Sequence, residues 1–106
     1  MRLRFRTLTA LTVHHTESVT DSSGGVSRQE SGEAFTISAT LRPPSRRLVR
    51  TLSGMRVAQV WSVLMGKNTR LALHDRVRLP GDARVFIVTA IRPLPRHTGA
   101  DVELLQ

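Results

Sequence analysis

Between Ala34 and Arg42 the chain sets Phe35, Ile37, Ala39 and Leu41 against Thr36, Ser38 and Thr40. Side chains two residues apart share one face of a strand, whereas a helix repeats every three or four, so this alternation predicts a half-buried strand. The same period returns along the chain. Leu3, Phe5, Thr7, Thr9, Leu11 and Val13 occupy alternate positions with Arg2, Arg4 and Arg6 opposite, which predicts a strand over about 3–16. Val57 to Met65 is apolar and β-branched, with Trp61, Val63 and Met65 on one side and Val60, Ser62 and Leu64 on the other, a strand covered on both faces. Asp75–Leu79 alternates again, Val85–Ile91 has high β-propensity, and Ala100–Leu105 supplies a final strand. Pro43-Pro44, Gly66-Lys67-Asn68, Pro80-Gly81-Asp82 and the pair Pro93 and Pro95 punctuate these runs, and Leu71-Ala72-Leu73 is apolar but short.

Two segments lack the alternation. Thr16 to Gly32 is rich in Ser, Thr, Gly and acid, which predicts a long flexible hairpin loop over about 17–33; it carries or adjoins Glu17, Asp21, Glu30 and Glu33, four of the eight acidic residues. After the prolines, Ser45 has the chemistry of a helix N-cap, Leu48, Val49 and Leu52 fit one helical face, and Gly54 fits a stop, which predicts a short helix in the segment about 45–53. A chain of 106 residues has room for a single domain, 1–106. Five or six short strands, tight turns and one helix are too few for a large sandwich, and an open sheet would leave edges to protect. The expected fold is mainly β: a small antiparallel β-barrel of about six strands.

Sixteen Lys+Arg against eight Asp+Glu give a formal charge of +8, and Lys67 is the sole lysine. Such a balance draws the protein toward something anionic: nucleic acid, a membrane surface or an acidic partner. A GC-rich coding bias is the simpler account of the preference for Arg. The absence of cysteine removes disulfides and thiolate metal sites and suits a reducing compartment. No apolar run is long enough for a signal h-region or a membrane span, so the protein is expected to be soluble and cytoplasmic at synthesis, with no membrane partner.

Catalysis finds little to work with. His14 and His15 are neighbours on a strand and point to opposite faces; a metal site would need His74 or His97 to meet one of them beside a carboxylate. There is no Gly-x-Ser-x-Gly elbow, and Gly24-Gly25 lacks the Gly-Lys-Ser/Thr context of a phosphate loop. Asp75, Asp82, Asp101 and Glu103 show no spacing that marks a working pair and read as ordinary solvated charges. The expectation is no enzyme, no metal and no cofactor. Arg42, Arg46, Arg47, Arg50 and Arg56, by contrast, put five cations in fifteen residues with no acid among them. On the predicted helix Arg46, Arg47 and Arg50 would form a contiguous basic patch, available to DNA or to acidic neighbours. Phe5, Phe35, Trp61 and Phe86 are the only aromatics and occupy core-facing positions, so any DNA contact would be to the backbone, non-specific and salt-sensitive.

Taken in order, the Leu3-Arg-Phe-Arg6 strand, Asp21 before Gly24-Gly25, Ala39-Thr-Leu-Arg-Pro-Pro-Ser45, Gln59-Val-Trp-Ser-Val63, Asp75-Arg-Val-Arg78 before a Pro-Gly turn, and Val85-Phe-Ile-Val88 before a Pro-containing loop resemble the head-closure (stopper) proteins of tailed bacteriophages, small β-barrel head-tail adaptors. Each motif is common β-barrel grammar; order and spacing carry the resemblance. Arg46-Arg47 stands where the family commonly has an acid after the opening Ser, and the loop before Phe35 lacks a frequent aromatic. The resemblance implies a virion protein assembled in the host cytoplasm, forming a homo-oligomeric, dodecameric ring beneath the portal and its adaptor. There it helps retain packaged DNA and offers a docking face to the tail or tail terminator. By position, Pro43 to Arg56 would reach toward the channel, where its Arg residues face DNA or an adjacent subunit. The loop carrying Glu17, Asp21, Gly24, Gly25, Arg28, Glu30 and Glu33 would reach a partner. The alternatives are a free-standing basic barrel that binds nucleic acid and a small hydrolase or metal protein.

Overall fold

The structure, a computed structural model, describes residues 8–42, 44–51 and 54–105. Seven strands form it: β1 (Leu8–Thr20), β2 (Val26–Leu41), β3 (Ser45–Thr51), β4 (Gly54–Gly66), β5 (Arg76–Arg78), β6 (Phe86–Pro93) and β7 (His97–Leu104). Their order in the sheet is β2-β1-β5-β6-β7-β4-β3, all neighbours antiparallel, and β2 also pairs with β4 through Ala39–Leu41 against Met65–Val63. That last pairing rolls six strands into a closed barrel and leaves β3 as an extra strand. β2 and β3 lie end to end along the same edge of β4, and Pro44 falls in the interval between them.

The expected alternation builds the core. Leu11 and Val13, Ala39, Val63 and Met65, Val77, Phe86 and Val88, and Ala100 and Val102 point inward from six strands, and Leu71 from the β4–β5 connection joins them. Trp61 meets Phe86 edge-on, with ring centroids 5.1 Å apart, a favourable quadrupolar arrangement.

The barrel accounts for only part of the length. The radius of gyration is 15.1 Å and the long axis 60 Å, against about 13 Å for a compact chain of this size. Two hairpins cause the excess. β1 and β2 stay paired to Thr20↔Val26, well past the last β1 pairing with β5 at His14↔Arg76. β3 stays paired with β4 to Thr51↔Gly54, while β7 pairs with β4 only from Val60 onward. Since β4 runs antiparallel to β2, the two projecting hairpins leave opposite ends of the barrel. The first is here called the acidic arm and the second the basic arm.

Both arms correct expectations. Residues 17–33 are no flexible loop: they are mostly two paired strands joined by a tight turn at Asp21–Gly25. Thr and Val favour extended backbone without a core beneath them, and polar cross-strand pairs replace apolar ones. The helix expected over 45–53 is strand β3, because each residue from Ser45 to Thr51 finds a partner on β4; tertiary pairing overrides a local pattern that a helix fits equally well. The first strand runs on to Thr20, not Thr16, and Pro93 is the last residue of β6 where a break was expected. The expected strand positions Leu3–Thr7, together with Pro43, Leu52 and Ser53, lie outside the described residues.

Candidate functional site

The basic arm has two unlike faces, set by the β3–β4 register. Arg46, Leu48 and Arg50 stand opposite Gln59, Val57 and Met55, and all six are exposed. Leu48, Met55 and Val57 retain 69%, 57% and 59% of their accessible surface, so this face is apolar down its middle and cationic along the β3 side. On the other face Arg47 and Arg56 turn back over β7. Arg47 Nη1 donates to Asp101 Oδ2 at 2.8 Å and Arg56 Nη2 to Glu103 Oε1 at 2.9 Å. Arg92 grips the same Asp101 with both terminal nitrogens, at 2.9 Å each, and Ser62 Oγ donates to it at 3.3 Å. Asp101 is only 5% exposed. The Arg92 fork, more than Arg47, holds its carboxyl below the ordinary range, and Asp101 in turn raises Arg92.

Asp101 and Glu103 alternate with Ala100 and Val102 and therefore point away from the core, on the outer face shared with Val60 and Ser62. The expectation of solvated charges is overturned: a buried carboxylate needs its partners, and here arginines supply them. The expected contiguous patch is likewise divided. Arg47 and Arg56 are spent inside the molecule, while Arg42, Arg46 and Arg50 have no acidic partner among the described residues.

The acidic arm is rooted by different chemistry. At the β1–β2 register shift between Val13 and His15, Gly32 takes a positive φ of 70° and the ribbon leaves the barrel. Glu30 Oε2 accepts from Arg78 Nη2 at 2.7 Å, which with Arg76 and His14 nearby holds this carboxyl below its ordinary value. Arg76 Nη2 donates to the carbonyl of Arg28 at 3.0 Å. Arg28 itself crosses the ribbon to Thr16 and Ser18. His15 Nδ1 lies 2.9 Å from both oxygens of Asp75, which is 1% exposed and also accepts from the Ala72 amide. Phe35 meets the His15 ring in a tilted contact, 4.9 Å between ring centroids, and the Arg70 guanidinium lies over it at 4.3 Å.

Of the residues expected to meet a partner, Asp21, Gly24 and Gly25 build the arm's turn. Asp21 Oδ1 accepts from the amides of Ser23 and Gly25 and from the Ser23 hydroxyl, which lowers its carboxyl, and Gly24 adopts φ 89°. Arg28 and Glu30 are structural. Glu17 and Glu33 are exposed with no partner among the described residues. Arg92, Asp101 and Glu103 were not expected to belong to the site; their signal was the strand alternation that places both acids on one face. Among the described residues no three His, Asp or Glu side chains gather as metal ligands, His15 being held by Asp75, and no helix is long and apolar enough to cross a membrane.

The molecule is therefore a closed six-strand antiparallel β-barrel with an added strand and two hairpin arms of contrasting charge. It is similar in fold to the phage-like element PBSX protein xkdH of Bacillus subtilis: the superposition has a TM-score of 0.63 at 9% identity and covers 95% of this chain and 96% of that one. The sequence matches no family model and no curated protein.

Proposed function

We propose that the protein is a structural component of a tailed-phage neck: a subunit of a ring below the portal and adaptor that closes the DNA-filled head and presents a docking surface to the tail. The observation that carries this reading is the barrel-with-arms fold, shared over nearly the whole chain with a protein of a phage-like element. The arms suit such a role, because a small barrel with projections at opposite ends can contact neighbours on several sides, and repetition around a ring makes one modest surface into a large one. On this reading the work is mechanical and needs neither a metal nor a cofactor. Its partners are copies of itself, the portal or adaptor above, and the tail or its terminator below.

The test is deletion of the gene. Particles should then carry filled heads that leak DNA or lack tails, as seen by electron microscopy and nuclease sensitivity, and the wild-type gene should restore them. Intact, tailed particles would sink the proposal. A second reading, a basic barrel binding nucleic acid through phosphates, is favoured by Arg42, Arg46 and Arg50, which have no acidic partner among the described residues. It requires steeply salt-dependent affinity for duplex DNA by the isolated protein.

A further inference from the structure

On the outer wall of the barrel, where the basic arm joins it, lies a recess of about 480 Å³. Arg42 and Arg47 form one side and Arg92 and Leu94 the other, with Leu64 and Gly99 also lining it. A side chain at Gly99 would sit against Leu94 and Arg92, at 3.7 and 3.8 Å, so glycine keeps the space open. Three guanidiniums border this space, and Asp101 neutralises one of them, leaving two positive charges in excess. Asp101 also fixes the geometry. It occupies both terminal nitrogens of Arg92 and one of Arg47; among the described residues nothing takes up the remaining Arg47 donors or the Arg42 fork, which are left for another anion.

The chain's own acids show what could fill it. Asp21 is held by its turn, Glu30 by Arg78, Asp75 by His15, Asp82 by Arg84, Asp101 by Arg47 and Arg92, and Glu103 by Arg56. Of the eight acids, Glu17 on the acidic arm and Glu33 at its root remain, both exposed and without an ionic partner among the described residues. We infer that the Arg42–Arg47–Arg92 recess receives a glutamate from the acidic arm of a second copy, Glu17 or Glu33. The apolar side chains of Leu64 and Leu94 suit the aliphatic stem of glutamate, which a phosphodiester lacks. Because the arm and the recess are different surfaces, the contact is head-to-tail, and a head-to-tail contact closes into a ring when its rotation permits. The inference rests on the ring reading above and specifies which surfaces meet.

The experiment reverses charge at exposed positions of the full-length protein. Sedimentation and native mass spectrometry measure self-association of the wild type, Arg42→Glu, the double variant Glu17→Arg/Glu33→Arg, and the combination of all three changes, with thermal melts confirming that each folds. Arg42→Glu and the double variant should each weaken association by about tenfold or more, since like charges then face each other. The combination should recover most of it. Association unchanged by Arg42→Glu, no recovery in the combination, or a wild type that stays monomeric at every concentration overturns the contact. So does a loss of duplex DNA binding by Arg42→Glu with association intact, which assigns the recess to phosphate. Incorporation into particles separates the two proposals. A wild-type protein absent from particles sinks the neck reading, whereas particles that incorporate Arg42→Glu normally sink only the recess contact.

Discussion

The two arms are both two-stranded ribbons, yet they are anchored in opposite ways. The acidic arm is held by a distributed set of hydrogen bonds to β5 and the β4–β5 connection, and Asp21 organises its tip. The basic arm is held by arginines reaching two carboxylates on β7, one of them shared with Arg92. A two-stranded hairpin alone is marginal in water, so each arm's order depends on its root. What differs is how much rests on a single side chain.

That contrast is broken most directly at Asp101. Asp101→Asn leaves Arg47 and Arg92 facing a neutral amide at a nearly buried position and should cost about 2–3 kcal/mol, read in urea melts. Arg47→Ala should cost less, because Arg92 keeps its fork on the carboxylate. A smaller cost for Asp101→Asn than for Arg47→Ala would refute the shared-anchor account.

Acid should weaken both roots. Glu30 and Asp101 are held below their ordinary values of 4.5 and 3.8, so the stability they contribute is present above those values and is lost as pH falls through the lower folded ones. Melting temperatures should therefore decline with acidification beginning near pH 4.5, where Glu30 enters its window, and steepen below 3.8 as Asp101 follows. Amide exchange resolved by residue would show the acidic arm loosening first.

At the acidic tip, Gly25→Ala would bring a Cβ within 2.8 Å of Asp21 Oδ2. The expected cost is about 1 kcal/mol, confined to the ribbon and visible as lost amide protection from Val19 to Ser27 with the barrel unchanged. The smallest effect belongs to the outer face of the basic arm: Leu48→Asn removes a side chain already 69% exposed and should shift stability by no more than about 0.5 kcal/mol in the same melts. A loss several times larger would mean that this face is covered within the isolated chain.

The barrel was legible where one face of a strand is buried. Phe35 to Leu41 and Trp61 to Met65 carry the alternation and Val85 to Ile91 the β-propensity, and all three supply inward-facing residues of the core. The arms were not, for a physical reason. A ribbon wet on both faces has no apolar period, so Ser, Thr and Gly between Thr16 and Gly32 resemble a loop. In β3, Leu48, Val49 and Leu52 fit a helix as well as a strand, and the pairing with β4 that decides the matter is non-local. The five arginines were visible as a group, but their division was not, because Asp101 and Glu103 lie 54 and 47 residues from the arginines that they hold.

The barrel's closure is a clasp. Three residue pairs join β2 to β4, against seven between β4 and β7 on the other edge of the same strand. Since β3 continues from β2 along the same edge of β4, a force that splays the basic arm away from the barrel wall reaches that seam at its Leu41↔Val63 end first. Unfastened, the molecule would be an open, twisted sheet with its strands in the same order. A seam of only three pairs thus lies beside the arm that carries Arg46 and Arg50, neither of which has an acidic partner among the described residues.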